Sequence, residues 1–538
     1  MQKVTSQQLV GLWQEQRFEE LERACLGGLS AGQDQATIRY FLGLARLELK
    51  SPRDALEPLQ VITKQRPEIA EYRVALARAY LDLGERASGF TYLAEALALE
   101  PALFDAIFRL SVALQYMPLS DATLSWQLRA LTIGDQSNPA IALALHLPCI
   151  NSYFFRHQNL AAMAHNAVCL VLEPNNAEAW RLHAVLAGFE AKYEIADIGF
   201  NRAMSCECDD PQIHYQRGIL DLTLGRFETG WKGYESRKKV HGTGDSAAIY
   251  GSPEWKSDQD LRGKHLLLTF EQGIGDTIQF SRFATNLANA GAKIYMLVQP
   301  AVAPLVSSIP GVHWSRVLTP GQAIPRHDFH CALMSVPERL DLRLEDIPAK
   351  VPYLSAPDDR INYWREQLPK HLPGRKLRVG LVWSGNPSHF KNSIRSIPPQ
   401  FLFPLFDLAG ISWISLTNEV SQADRDILGP NADLFLLADD PCNSYVDAAA
   451  VVSLCDAIIS VDTSFAHLAG AMARPLFLAL GKSPDFRWLT TGDSSPWYPT
   501  ARLFRQRDAG DWTPIIESIA REITVLRDQF IRAQSNRP

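Results

Sequence analysis

The stretch AEYRVALARAYLDLGERASGFTYLAEALALEP, Ala70 to Pro101, decides the fold of the first half of the chain. Leu76, Ala77, Tyr80, Gly84, Gly89, Leu93, Ala96 and Pro101 hold the small and large positions of a two-helix unit. A step back of 34 residues lands on Leu42, Gly43, Ala55, Leu59 and Pro67 in equivalent places. From Ala177 the pattern returns as Trp180, Ala184, Ala187, Ala196, Phe200 and Ala203, then again as Gly218, Gly225, Phe227, Gly230 and Tyr234. Between 104 and 176 it is degenerate, with Ala130, Ala162 and Pro174 in approximate register. Small residues let the two helices approach closely and large ones fill the space between units. Proline after the second helix stops it, because the residue before proline resists helical geometry. One unit cannot bury its apolar stripe alone, so the units are expected to stack into a superhelix with a concave groove.

A 34-residue period of this composition resembles the tetratricopeptide repeat (TPR), and residues 1–240 read as a TPR solenoid. Such grooves usually bind extended peptides or proteins. A helical spacer that only holds a dimer together is the competing reading, since TPR arrays often self-associate. The places that would carry a peptide-gripping asparagine ladder along the groove are Phe41, Ala75, Arg109, Leu182 and Gln216, so no such ladder exists.

The 538 residues are too many for one core. Apolar residues at 46% and charged residues at 21% fit a folded chain, not a disordered one. With 53 basic and 59 acidic residues the net charge is −6, which argues against nucleic acid or an anionic membrane as main partner. The opening MQKVTSQQLVGLWQEQRFEELER has no apolar signal core. No apolar run reaches the ~18 residues of a membrane span. The eight cysteines are scattered, Cys206 and Cys208 forming only C-x-C, so reduced thiols and a cytoplasmic location are expected.

From 241 to 263 the chain turns rich in Gly, Ser and Asp and reads as a linker, with Trp255 expected to dock on a neighbour. Beyond it, strand candidates at His265–Phe270, Lys293–Val298, Leu377–Val382, Ile411–Leu416, Ala457–Val461 and Pro475–Leu480 alternate with helical stretches such as Gln279–Ala290 and Ala466–Arg474. Alternation of this kind predicts parallel sheets with crossover helices. Proline-rich Asp346–Pro357 and polar Lys370–Lys376 divide it into Rossmann-like lobes at 264–368 and 369–510, with a C-terminal helix at 511–538. The fold class expected is α plus α/β: an all-α superhelix, then two α/β lobes.

Ligands in open α/β sheets bind beyond the carboxyl ends of the strands, and three motifs stand there. Glu271-Gln272-Gly273-Ile274-Gly275-Asp276-Thr277 follows the first strand; the glycines permit a tight turn, and Asp276 reads either as a helix cap or as a general base. Val382-Trp383-Ser384-Gly385-Asn386-Pro387, with Lys391 and Arg395, reads either as a pyrophosphate cradle or as a solvated basic loop. In Val461-Asp462-Thr463-Ser464-Phe465-Ala466-His467 the hydroxyls can cap a helix or hold a phosphate, and His467 either faces the ligand or is packed.

In this order the motifs resemble the heptosyltransferase-like glycosyltransferases (family nine), which have the GT-B fold. The resemblance covers about residues 262 to 525 and includes EQGIGDTIQF, GLVWSGNP, RSIP, VDTSFAHLAGA and SPWYPTARLFRQ. It implies Asp276 as catalytic base, with Arg395 and the Asp462-Thr463-Ser464 turn on the donor phosphate; the strand-end motifs themselves add Gly273, Gly275, Ser384, Asn386, Lys391 and His467 as donor-binding candidates. Arg395 stands where the family has Lys, and Ser464 where it has Gly. TPR before GT-B also looks like the layout of the O-linked N-acetylglucosamine transferases and bacterial flagellin glycosyltransferases.

The expected activity is therefore inverting sugar transfer from a nucleotide-sugar to a Ser or Thr hydroxyl of a protein such as flagellin. No cofactor and no metal are expected, since no D-x-D stands at a strand end and no His/Cys cluster occurs. The rivals are a TPR adaptor whose GT-B half has lost catalysis, and a transferase with a carbohydrate acceptor.

Overall fold

The left-handed backbone positions carry the repeat more plainly than the sequence does. In the computed structural model, which describes residues 3–33, 35–114, 121–242, 247–312, 317–417, 419–429, 434–440 and 444–535, positive φ recurs at Gln16, Lys50 and Gly84, then at His157, Ala191 and Gly225. Within each set the step is 34 residues, and each position ends the first helix of a pair. From Gly84 to His157 the separation is 73, five more than two repeats. The surplus falls largely in one helix: Pro139–Phe155 has 17 residues where its equivalents have 13. That insertion is why the register blurs between 104 and 176.

The helices in order are α1 (Ser6–Gln14), α2 (Phe18–Ser30), α3 (Ala36–Glu48), α4 (Pro52–Gln65), α5 (Ala70–Asp82), α6 (Arg86–Leu99), α7 (Phe104–Leu114), α8 (Asp121–Ile133), α9 (Pro139–Phe155), α10 (Asn159–Leu172), α11 (Ala177–Phe189), α12 (Tyr193–Cys206), α13 (Pro211–Thr223) and α14 (Phe227–Tyr234). The small positions work as steric gates. A Cβ on Gly43 would lie 2.5 Å from the Leu59 side chain, and one on Gly218 would lie 2.5 Å from the Tyr234 backbone nitrogen. Two compact units result, Met1–Leu186 and Ala187–Pro538.

In the second unit α13 and α14 share one core with the α/β region. Phe227, Trp231 and Tyr234 are buried, and the Trp231 ring meets Phe280 at 5.9 Å and Phe486 at 5.8 Å, edge to face. Trp255 is buried as well and donates its backbone N–H to the His330 carbonyl at 2.8 Å.

The strands are β1 (His265–Thr269), β2 (Lys293–Leu297), β3 (Val317–Leu318), β4 (Phe329–Ala332), β5 (Leu377–Val382), β6 (Ile411–Ser415), β7 (Leu434–Leu436), β8 (Ala457–Val461), β9 (Leu476–Leu480) and β10 (Ala501–Arg505). They form two parallel sheets, ordered β3-β2-β1-β4 and β10-β9-β8-β5-β6-β7 among the described residues. All six strands expected from sequence are present. β3 and β7 are too short to show a period, and β4 and β10 lack a continuous β-branched run. In each sheet the chain winds outward from a central strand and then returns beside it, so the order reverses at β1/β4 and at β5/β8. The helix Thr513–Ser535 covers the second sheet with Ile515, Ile516, Ile519 and Ile523. No helix among the described residues is long and apolar enough to cross a membrane.

Candidate functional site

All three sequence motifs lie at those reversal points, where the loops leaving two neighbouring strands part and open a crevice. The first leaves β1. Gly273 caps the helix Ile274–Phe280, and its N–H donates to Asp276 Oδ2 at 2.9 Å. The other carboxylate oxygen, Oδ1, accepts from Arg487 Nη2. Burial pushes the Asp276 carboxyl above the usual carboxylate range; Arg487 opposes that rise and Asp485 adds to it. Asp276 thus caps the helix and still keeps 19% of its side chain exposed.

The second and third motifs leave β5 and β8, which are paired in parallel register from Val379↔Ala457 to Val382↔Ser460. Arg395 spans the two loops. Its Nη1 donates to the Asp462 carbonyl at 2.8 Å, and its Nε is buried with no partner among the described residues. Burial lowers the Arg395 guanidinium against the pull of Asp462 and Asp485. A Cβ on Gly385 would stand 2.7 Å from Arg395 Nη2, so this glycine makes room for the guanidinium. The Gly385 N–H donates to Asn392 Oδ1 at 3.1 Å and ties the loop to its own short helix. Burial, then the like charge of Asp485, raises the Asp462 carboxyl.

Thr463 precedes the helix Ser464–Ala471, and its Oγ1 lies 3.4 Å from Ser460 Oγ; its hydroxyl makes no cap bond to the helix. The helix N-terminus therefore keeps its first N–H groups free of a side-chain cap. It meets the helix of the first motif directly, for a Cβ on Gly275 would be 3.3 Å from Ser464 Cα and 3.0 Å from His467 Cδ2. His467 itself is packed. Its Nδ1 lies 3.0 Å from the Tyr498 hydroxyl and its ring stacks on Trp488 at 5.3 Å. Burial, with Arg487 next, holds this imidazole far below its ordinary range, so it stays neutral.

The structure thus gathers Gly385, Arg395, Asp462 and Thr463 about one point, and Gly273, Gly275, Asp276, Ser464 and His467 about another. Lys391 stands half-buried on the β5 loop, and Ser384, next to Gly385, is half-buried as well. Asn386 is exposed and spends its Oδ1 on the Ser388 N–H at 2.9 Å, shaping the loop.

Sequence reasoning missed Arg487 and Asp485: Arg487 pairs with Asp276 of the second group, and the charges of both act on Asp462 of the first. Arg487 Nη1 donates to Asp485 Oδ1 at 2.7 Å, and Nη2 serves Asp276. Burial works against the Arg487 charge, but Asp485 and Asp276 outweigh it and raise the guanidinium further. Burial likewise works against the Asp485 charge, and Arg487 and Lys391 hold its carboxyl below the usual range. The available signal was the segment Gly481-Lys482-Ser483-Pro484-Asp485-Phe486-Arg487, a fourth polar turn after a strand.

No protein-family model matches the chain. It is 27% identical over 348 residues to Protein FlbA of Caulobacter vibrioides, a match covering 60% of this chain and 56% of that protein. The chain thus spans about half the length of the curated relative it matches. Solved structures similar to it include the TPR protein YrrB (13% identity, TM-score 0.31, 36% of this chain and 98% of that one). Pseudomonas aeruginosa PilF is similar too (14%, TM-score 0.35, 39% and 94%), as is the type IV pilus biogenesis factor PilW (15%, TM-score 0.35, 40% and 97%). The chain carries helix pairs in a 34-residue, TPR-like repeat, followed in sequence by an α/β region of two parallel sheets.

Proposed function

We propose that the α/β region is an inverting, metal-independent glycosyltransferase that takes a nucleotide-sugar and glycosylates a Ser or Thr hydroxyl of a protein held by the repeats. The observation that carries this reading is the convergence of three strand-end motifs at two topological switch points, with the partly buried Asp276 carboxylate held by Arg487 at one and Arg395 spanning the two loops of the other. The nucleotide phosphates would lie against Arg395, Lys391 and the N-terminus of Ser464–Ala471, where cations and free N–H groups accept a developing negative charge. The acceptor oxygen attacks the anomeric carbon from the face opposite the phosphate. Its proton passes to Asp276 while the carbon–oxygen bond to phosphate breaks and its electron pair leaves on the phosphate. A flagellin is the acceptor class that the resemblance of layout implies.

Thermal-shift screening against UDP-, GDP-, ADP- and CMP-sugars, beside Arg395→Ala, tests the donor half of this reading. A ligand at 100 times its dissociation constant adds ~2.7 kcal/mol of stability. The expected result is a shift with one nucleotide class that Arg395→Ala abolishes. No shift with any of the four would favour an adaptor whose α/β half no longer binds a donor.

A further inference from the structure

The turn joining α11 to α12 touches the β5 loop of the donor site and the polar turn after β9. Ala191, at φ 57°, reverses the chain, and the Lys192 N–H closes the turn on the Ala187 carbonyl at 2.8 Å. On one side the Gly188 carbonyl accepts from Ser483 Oγ at 3.2 Å, and Glu190 pairs with Lys482 Nζ at 3.5 Å. Lys482 and Ser483 belong to the polar turn after β9 that carries Asp485 and Arg487. On the other side the Phe189 ring meets Phe390 at 5.7 Å, and Lys391 Nζ stands 4.9 Å from the Phe189 ring centroid. Among the described residues the Lys391 ammonium has no ion pair. An aromatic face attracts a cation without using its N–H donors, so it fixes the charge and leaves those donors for an anion.

Resting on the donor reading above, we propose that Phe189 is a positioning residue of the donor site, holding Lys391 where the phosphates of a nucleotide-sugar bind. The repeat region then supplies part of the donor site through this turn. Its effect runs through Lys391, which distinguishes it from a residue that only packs.

Titration calorimetry of the full-length protein with UDP, GDP, ADP and CMP, on whichever of these the wild type binds, tests the inference. Phe189→Leu keeps the apolar bulk and removes the aromatic face, so binding should weaken about 2- to 30-fold with the unfolding temperature unchanged. Phe189→Tyr keeps the face and should bind as wild type. Lys391→Ala should lose at least as much as Phe189→Leu, and the double variant should lose no more than Lys391→Ala. Wild-type affinity in Phe189→Leu, or a loss in the double variant equal to the sum of the singles, overturns the positioning role. If the wild type binds none of the four, the donor reading itself fails and takes this inference with it. Binding that survives in the wild type but ignores Phe189 leaves the donor reading standing alone.

Discussion

At Asp276 two demands meet on one carboxylate. Oδ2 caps a helix and Oδ1 faces Arg487, while burial raises the carboxyl above the usual carboxylate range. General-base catalysis contributes about 10²–10⁴-fold, so Asp276→Asn should cut transfer by that range with donor affinity retained. Because burial raises this carboxyl, kcat/KM should rise with pH through a limb displaced above the ordinary carboxylate range, and the limb should vanish in Asp276→Asn. Near-normal turnover in the variant would leave Asp276 with the cap alone. Gly385 makes the complementary case for space. Its substitution by Ala puts a methyl 2.7 Å from Arg395 Nη2, so Gly385→Ala should weaken nucleotide binding about tenfold, the ~1.4 kcal/mol of one displaced charge-assisted contact, with little change in unfolding. Both residues were legible in the sequence as turn residues after strands. Arg487 was not, because its partner in the first motif is 211 positions away.

At the scale of the element, the degenerate repeats are polar where the others are apolar. Leu59 and Leu93 of the early pairs correspond by the 34-residue step to Gln127, and across the insertion to Asn166, then to Phe200 and Tyr234. Gln127 and Asn166 are 1% and 0% exposed, and neither amide has a partner for its nitrogen or oxygen among the described residues. Thr123 at the small position of α8 is buried and unpartnered too. A buried unsatisfied amide costs about 1–3 kcal/mol, so α8 and α10 hold their places against that cost. Gln127→Leu and Asn166→Leu should each stabilise the first unit by about 1–3 kcal/mol, read as a higher denaturant midpoint with an unchanged slope. An unchanged or lower midpoint would mean that these amides hold something the apolar side chain cannot replace. The repeat could be counted from sequence because its small residues are steric necessities. The polar replacements hid it between 104 and 176, since a pattern of apolar residues cannot register an amide in an apolar seat.

At the scale of the whole molecule, the chain divides inside α11 although the repeat runs on to α14. The last repeat is a structural member of the α/β body. Tyr234 accepts a hydrogen bond from Gln272 Nε2 at 3.0 Å, and Arg237 holds Glu271 at 2.7 Å, so the first motif is braced by residues from the repeat side. Removing residues 1–240 deletes Phe227, Trp231 and Tyr234 from the core; three such rings at about 25 cal/mol per Å² represent on the order of 10 kcal/mol, comparable to the stability of a domain. That truncation should lose its cooperative thermal transition, whereas removal of residues 1–176 keeps every residue of the second unit and should retain one. A cooperative transition in the shorter protein would show that the α/β body folds without its repeat. In the protein lacking only residues 1–176, transfer to a glycan can be compared with transfer to a protein acceptor to separate the two acceptor classes. The sequence by itself determined the repeat period, the six principal strands and the three strand-end turns, because each rests on neighbours a few residues apart. Only the tertiary structure decided that the turns sit at two reversal points, that Arg487 pairs with Asp276 of the first motif, and that the last repeat belongs to the α/β core. Those facts depend on contacts between residues tens to hundreds of positions apart, and no local pattern encodes which buried surface will meet which.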